Sequence, residues 1–168
     1  MGRDPRRARG LVAAGVILLA TCFLGCAAKV QAPPEPPSTV RKAEEAFRLR
    51  EYDRAIELYR TYADLVRRDP YVPRVLYKAA LAQYQLGRYE EALATLQDLQ
   101  DRYPDRRWVQ VEALRGDAQK ALGHPAAAIH AWDAAFSVAR PPDESKLRLR
   151  VATVAAALSE EELRDVLA

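Results

Sequence analysis

The chain of 168 residues has two histidines, two cysteines and no asparagine. Two cysteines are too few for a disulfide framework. His124 and His130 are six positions apart and do not share a helix face, so we predict no metal site. The sequence contains no glycine-rich phosphate-binding loop and no candidate Ser-His-Asp triad. The sequence therefore predicts neither an enzyme nor a bound cofactor.

Long basic runs are also absent. The first 25 residues hold four arginines and one aspartate, so they carry the whole net charge of +3. The remaining residues have as many basic as acidic side chains. Binding to phosphate backbones needs a clustered positive face. The charge pattern therefore argues against a nucleic acid partner.

No apolar run is long enough to span a bilayer. Residues 11–24 are mostly apolar, but a spanning helix needs roughly 20 such residues. The run follows an arginine-rich start, which holds its end on the cytoplasmic side, and it closes with the small residue Gly25 before Cys26. Residues 1–25 resemble the signal of a bacterial lipoprotein, cleaved between Gly25 and Cys26.

The resemblance implies that Cys26 becomes the N-terminus and carries fatty acyl chains on its sulfur and its amine. Two or more chains give stable anchoring. Cys22 is the rival acceptor, but the preceding Thr21 is bulkier than the usual glycine or alanine. Ala27 is not the aspartate that retains some lipoproteins in the inner membrane. The resemblance thus implies an outer-membrane protein that faces the periplasm.

Prolines dominate the segment that follows. Residues 26–38 contain Pro33, Pro34, Pro36 and Pro37. Proline fixes its own φ angle and favours extended backbone at the preceding residue. We therefore predict a semi-rigid tether of about 3 Å per residue between the lipid and the folded part.

An internal repeat determines the predicted fold. Residues 50–59, 87–96 and 123–132 align without a gap, at spacings of 37 and 36 residues. Such spacings mark stacked helical hairpins. The segments resemble the tetratricopeptide repeat, which implies an all-α fold: an α-α superhelix of about three hairpins over residues 39–140. Residues 141–168 are expected to form capping helices or the start of a further module.

Small residues recur where the two helices of each hairpin should cross. Gly87 and Gly123 can end first helices in the left-handed conformation. Tyr59, Leu96 and Trp132 are expected to fill the space toward the next hairpin. The expected small pairs are Ala43 with Ala55, Ala80 with Ala92, and Gly116 with Ala128.

Four positions depart from the repeat. Arg50 replaces the turn glycine, and Pro125 replaces the turn tyrosine at a place where proline suits a first helical turn. The first-helix aromatic of the repeat is replaced by Leu76 in the second repeat and by Glu112, which is not apolar, in the third. The third repeat is therefore expected either to pack loosely or to have its register shifted by one residue.

These signals predict the helix boundaries. Ser159 and Glu162 form a capping box for a final helix. Pro70 is expected to stop a long second helix. The predicted ranges are 39–49, 72–86 and 107–122 for the first helices, 52–68, 89–102 and 125–139 for the second helices, and 143–158 for a seventh helix.

The resemblance also implies where function lies. First helices line the concave face of such a superhelix, and such grooves bind peptides. Tyr77 and Tyr84 are either anchors for a partner or packing residues between repeats. The carboxylate-clamp mode of the family relies on asparagines, which this chain lacks. The residues that the resemblance places in or near the groove are Glu44, Phe47, Arg48, Tyr77, Leu81, Tyr84, Ala113, Asp117 and Lys120.

A lipoprotein signal, a proline-rich tether and these repeats together resemble the BamD-type lipoproteins of outer-membrane β-barrel assembly. That resemblance implies a scaffold whose partners are envelope proteins or unfolded barrel segments. From Arg140 onward the chain is also similar to the end of the repeat module in LpoA-type lipoproteins, which activate penicillin-binding proteins. The alternative predicts that Ala168 is not a natural terminus.

Overall fold

The computed structural model describes residues 37–105 and 108–167, and within this part all regular structure is α-helical. The predicted fold class is therefore confirmed. The signal with its cleavage site between Gly25 and Cys26, and most of the proline-rich tether, lie outside the described residues. The helices are α1 (Ser38–Arg48), α2 (Tyr52–Leu65), α3 (Val72–Gln85), α4 (Tyr89–Arg102), α5 (Val109–Ala121), α6 (Pro125–Phe136), α7 (Asp143–Ala155) and α8 (Glu160–Leu167).

Every helix begins within two residues of its predicted start, but α2, α6 and α7 each end three residues early. The prediction that Pro70 stops a longer α2 is wrong. Leu65 is already 78% exposed, and residues 66–68 are exposed as well, so no burial holds this segment in a helical conformation. Proline also disfavours the helical conformation at Asp69. The Asp69 carboxylate instead accepts a hydrogen bond of 2.8 Å from the backbone amide of Tyr71, one residue before α3.

The three hairpins turn through the same backbone motif. Gly87 and Gly123 have φ angles of 75° and 79°, and Arg50 has 62° at the corresponding place. The next amide then donates back to a carbonyl five residues earlier, as from Glu51 to Ala46 at 2.9 Å. This bonding satisfies carbonyls that a helix end leaves free. The first turn therefore keeps the repeat geometry without the glycine.

We expect opposite effects from two substitutions in these turns. Gly87→Ala should lower the free energy of unfolding by about 1 kcal/mol, because a left-handed backbone disfavours a Cβ. A Cβ at Gly87 or Gly123 meets no atom within 4 Å, so the cost is purely conformational. Arg50→Gly should raise the free energy by up to about 1 kcal/mol for the same reason. Urea unfolding followed by far-ultraviolet circular dichroism measures both, and a shift of the same sign would contradict the argument.

The small residues at the helix crossings are all buried, as predicted. Trp132, which is 1% exposed, packs onto the crossing of its own hairpin. A Cβ placed on Gly116 would lie 2.3 Å from the Trp132 Nε1 atom. The indole thus occupies the space that a side chain at position 116 would need. The same ring also belongs to a core cluster with Leu147 and Val154 of α7.

Glu112 is buried at the position predicted to be apolar, so the assumed register is correct. Its carboxylate lies 3.7 Å from the Nε atom of Arg115. Arg115 in turn donates a hydrogen bond of 2.6 Å to Gln100 on α4. Burial of a charge costs less when an opposite charge lies nearby. The Arg115 guanidinium therefore supplies the ionic partner of the Glu112 carboxylate.

A polar network lies inside the second hairpin. Gln83 is fully buried, and its amide donates to Glu91 at 3.2 Å. The Thr95 hydroxyl donates to the Gln83 side-chain oxygen at 2.8 Å. Arg60 of α2 reaches the same hydroxyl at 3.5 Å. The buried amide is thus satisfied on both of its polar atoms, as buried polar groups generally are.

The last two helices cover the third hairpin. Leu147 and Val154 of α7 belong to the cluster that holds Trp132, and Val166 of α8 packs against it. The predicted capping box opens α8: the Ser159 amide donates to the Glu162 carboxylate at 2.8 Å. The bonds from Ser159 lower the pKa of Glu162. In the described ranges, 37–105 and 108–167, no helix is long and apolar enough to cross a membrane.

Candidate functional site

One face of the stack is lined by the first helices α1, α3 and α5 together with α7, and we call this face the groove. It carries three cavities, of about 620 Å³ between α1 and α3, about 320 Å³ between α3, α5 and α7, and about 300 Å³ at the starts of α3 and α5. The predicted groove residues that line these cavities are Glu44, Phe47, Arg48, Tyr77, Leu81, Ala113 and Asp117. Tyr84 and Lys120 do not line them.

The α1–α3 cavity combines aromatic and charged side chains. The Glu44 carboxylate lies 3.0 Å from Arg74 and 3.8 Å from Lys78. The Lys78 ammonium also lies 4.6 Å from the centre of the Phe47 ring, a cation–π distance. Phe47 meets Tyr52 edge to face, with 5.4 Å between ring centres. Glu44, Lys78, Phe47 and Tyr52 are therefore linked by an unbroken series of contacts along the cavity wall.

Sequence reasoning missed Arg74 and Lys78. They are four residues apart on α3, so they share one helix face. Arg74 also starts the same helical stripe as Tyr77 and Leu81, at spacings of three and four. That periodicity could have placed Arg74 beside the predicted groove residues.

The two tyrosines have different surroundings. Tyr77 is half-buried and lines both smaller cavities. Tyr84 packs against Tyr89 at the hairpin turn, with 5.3 Å between ring centres. Burial raises the pKa of both hydroxyls, and the nearby Asp117 carboxylate adds to the effect. Both rings pack in part against the main core, but Tyr77 also lines two cavities of the groove, whereas Tyr84 lines none of the three.

Asp117 connects three helices beside the α3–α5–α7 cavity. One carboxylate oxygen accepts a hydrogen bond of 3.2 Å from the Trp132 indole on α6. The other lies 3.3 Å from Arg150 on α7. Burial raises the pKa of Asp117 above its ordinary value of 3.8, while Arg150, Trp132 and Lys120 oppose the rise. Sequence reasoning missed Arg150, because the distance from Asp117 to α7 depends on how the hairpins stack.

We expect Asp117→Asn to reveal this raised pKa. The native state binds the Asp117 proton more tightly than the unfolded chain does, so this group's stabilising contribution is present below pH 3.8 and is lost as pH rises through the folded-state pKa. Asparagine does not titrate, so the variant does not lose stability in this way. Its side-chain oxygen can still accept the hydrogen bond from the Trp132 indole. Its free energy of unfolding should therefore rise relative to that of the parent as the pH increases from below 3.8 through the folded-state pKa of Asp117. A difference that is constant with pH would contradict the assignment.

The smallest cavity is mostly apolar and lies at one end of the groove. Such a cavity suits an apolar side chain of a partner. Its lining residues are Pro70, Pro73, Arg74, Tyr77, Trp108, Gln110 and Val111. Among the residues that the structure describes, no group of three His, Cys, Asp or Glu side chains could hold a metal ion. His124 and His130 are both exposed.

Residues 74–106 match the model of the tetratricopeptide repeat family. No curated protein matches the chain. Among solved structures, the first tetratricopeptide domain of Spaghetti (RPAP3) bound to an HSP90 peptide has 20% identity and a TM-score of 0.60, covering 71% of this chain and 89% of that chain. The type III secretion chaperone SycD of Yersinia enterocolitica, in complex with a peptide of the translocator YopD, has 17% identity and a TM-score of 0.59, covering 71% and 88%.

A further similar structure is the TPR2AB domain of yeast Sti1 in complex with pHSP90. It has 26% identity and a TM-score of 0.60, and the alignment covers 71% of this chain but 47% of that chain. Each of these structures contains stacked helical hairpins of the kind described above. The chain therefore carries a tetratricopeptide repeat at residues 74–106, and its described part has the tetratricopeptide-type α-α superhelix fold.

Proposed function

We propose that this protein is a lipid-anchored scaffold that holds peptide segments of other envelope proteins in its groove. The observation that carries the proposal is the groove itself: aromatic, apolar and charged side chains from α1, α3, α5 and α7 line adjoining cavities along one face. Clefts of this kind, with a few polar groups on an apolar lining, are typical binding sites. The similar structures of Spaghetti and SycD each hold a peptide.

The anchoring part of the proposal rests on the sequence. Cys26 would carry the acyl chains, and the proline-rich tether of residues 26–38 would hold the repeats away from the lipid. Ala27 favours the outer membrane, with the groove in the periplasm. By the resemblance to BamD-type lipoproteins, the segments held there would belong to subunits of the β-barrel assembly machinery or to unfolded barrel proteins.

Site-specific photocrosslinking in intact cells tests the proposal. Benzoylphenylalanine replaces Leu81, which lines the α3–α5–α7 cavity, or Leu65, which is exposed on the second helix α2. We expect the Leu81 probe to capture a barrel assembly subunit or an outer-membrane barrel protein, identified by mass spectrometry. The Leu65 probe is the matched control and should not capture it.

Each other result has a clear meaning. Capture of a penicillin-binding protein from the Leu81 position would instead support the LpoA-type role. Equal capture from both positions, or none from Leu81, would contradict a scaffold that works through its groove.

A further inference from the structure

The α1–α3 cavity has an excess of positive charge. Residues 37–105 and 108–167 together hold 19 basic and 21 acidic side chains, so this excess is local. The cavity is also the largest of the three in the groove. Its charged lining residues are Arg41, Arg48, Arg50, Arg74 and Lys78 against Glu44 and Glu45.

The two carboxylates of this cavity are already engaged by its own cations. Glu44 lies beside Arg74 and Lys78, and Glu45 pairs with Arg48 one helical turn away. In the part of the chain that the structure describes, the guanidinium groups of Arg41 and Arg50 form no ion pair. The cavity therefore offers cationic donors that no carboxylate of the described chain satisfies.

Arg50 occupies a backbone position that favours glycine. Its φ angle is 62°, and the corresponding turns of the second and third hairpins have Gly87 and Gly123. A residue with a Cβ is disfavoured there. Strained residues of this kind cluster at ligand sites, where the side chain serves a purpose that the fold does not require. The Arg50 side chain lines the α1–α3 cavity.

An apolar wall lies beside these cations. Phe47 and Tyr52 meet edge to face, and Val40 completes the apolar part of the lining. Guanidinium groups bind carboxylates in a two-pronged geometry, and aromatic rings offer contact area at little entropic cost. A segment that places carboxylates next to an apolar side chain would match both parts of the cavity.

We propose that the α1–α3 cavity binds an acidic peptide segment of the partner, with its carboxylates on Arg41 and Arg50 and an apolar side chain against Phe47 and Tyr52. This inference rests on the proposed scaffold function and specifies the chemistry of the segment that the groove takes. A nucleic acid is a different class of occupant, because its negative charge lies on phosphates and not on carboxylates.

The test uses the full lipidated protein in detergent and a fluorescein-labelled decapeptide in which three glutamates flank one phenylalanine. Its counterpart has glutamine in place of each glutamate. Fluorescence anisotropy at low and high salt gives the dissociation constants. We expect the acidic peptide to bind about tenfold or more tightly than its counterpart, as one or more charge-assisted hydrogen bonds would provide. Salt should weaken this preference.

Arg50→Gly is the decisive variant, because it should weaken binding of the acidic peptide by about tenfold while making the fold more stable. A loss of binding therefore cannot come from unfolding. Arg41→Ala should weaken binding by a similar factor. Arg67→Ala is the matched control: Arg67 is an exposed cation after α2, outside the cavity, and its loss should leave binding unchanged.

Three results would overturn the inference. The first is an unchanged dissociation constant for Arg50→Gly, the second is equal binding of the glutamine peptide, and the third is tighter binding of an oligonucleotide of equal charge than of the acidic peptide. Photocrosslinking from Leu81 separates this failure from failure of the scaffold function. If the Leu81 probe still captures a partner but the acidic peptide does not bind, only the proposed specificity of the α1–α3 cavity is refuted, and the scaffold function stands.

Discussion

Trp132→Ala should lower the free energy of unfolding by about 4 kcal/mol, within the range for removing a large buried aromatic side chain. The indole is 1% exposed and contacts the apolar residues that join α6 to α7. Its Nε1 atom also donates toward the Ala113 carbonyl at 3.3 Å and the Asp117 carboxylate at 3.2 Å. Urea unfolding followed by far-ultraviolet circular dichroism measures the change.

Two further variants separate packing from hydrogen bonding at this site. Trp132→Phe keeps most of the ring and should cost about 1 to 2 kcal/mol, mainly through the lost donor. Gly116→Ala should cost about 2 kcal/mol, because the new Cβ would overlap the indole. In the Trp132→Ala background the same Gly116→Ala change should become stabilising by up to about 1 kcal/mol, since alanine is the better helix former. A cost that stays the same in both backgrounds would contradict the packing argument.

Cys26→Ala should abolish incorporation of labelled palmitate into the protein and remove it from the outer-membrane fraction. Each buried methylene of the proposed acyl chains would contribute about 0.8 kcal/mol, so a variant without them would lose a stable anchor. Metabolic labelling followed by immunoprecipitation measures the incorporation, and sucrose-gradient fractionation gives the location.

Cys22→Ala is the matched control, because it removes the rival acceptor four residues earlier. It should leave labelling and location unchanged. Label that persists in Cys26→Ala, or that is lost in Cys22→Ala, would show that the modified residue has been assigned incorrectly.

Much of the fold could be predicted because its signals are local. Gly87 and Gly123 mark turns through a backbone angle that other residues avoid. The proline at the start of α6 fits the first turn of a helix. Small residues at a fixed spacing indicate where paired helices cross. Each signal is a residue type at one position or a spacing along the chain, so a single sequence is enough to interpret it.

The remaining features depend on contacts between distant parts of the chain. Arg150 reaches Asp117 from a helix that no repeat predicts, and Arg74 reaches Glu44 across thirty residues. The same is true of the excess positive charge in the α1–α3 cavity, because the sequence as a whole is nearly balanced in charge. Whether charges from different hairpins come close together in the groove follows only from the stacking of the hairpins.

Helix ends form a third class. Three helices end three residues before their predicted limits, and just after α6 and α7 the backbone amides bond to carbonyls three residues back, as from Leu158 to Ala155 at 3.2 Å. This tightening of the last turn satisfies the chain without extending the helix. Alanine-rich and valine-containing ends such as these give no local signal of where the helix stops.

The buried amide of Gln83 also fixes how the second hairpin can assemble. If α4 slid along α3 by one helical turn, alanine and leucine side chains would still meet similar neighbours. Gln83 would then lose both Thr95 and Glu91 and keep no partner within the apolar interior. Misaligned pairings of these two helices are therefore penalised strongly, and a hairpin whose apolar contacts are mostly alanine and leucine keeps one alignment out of several.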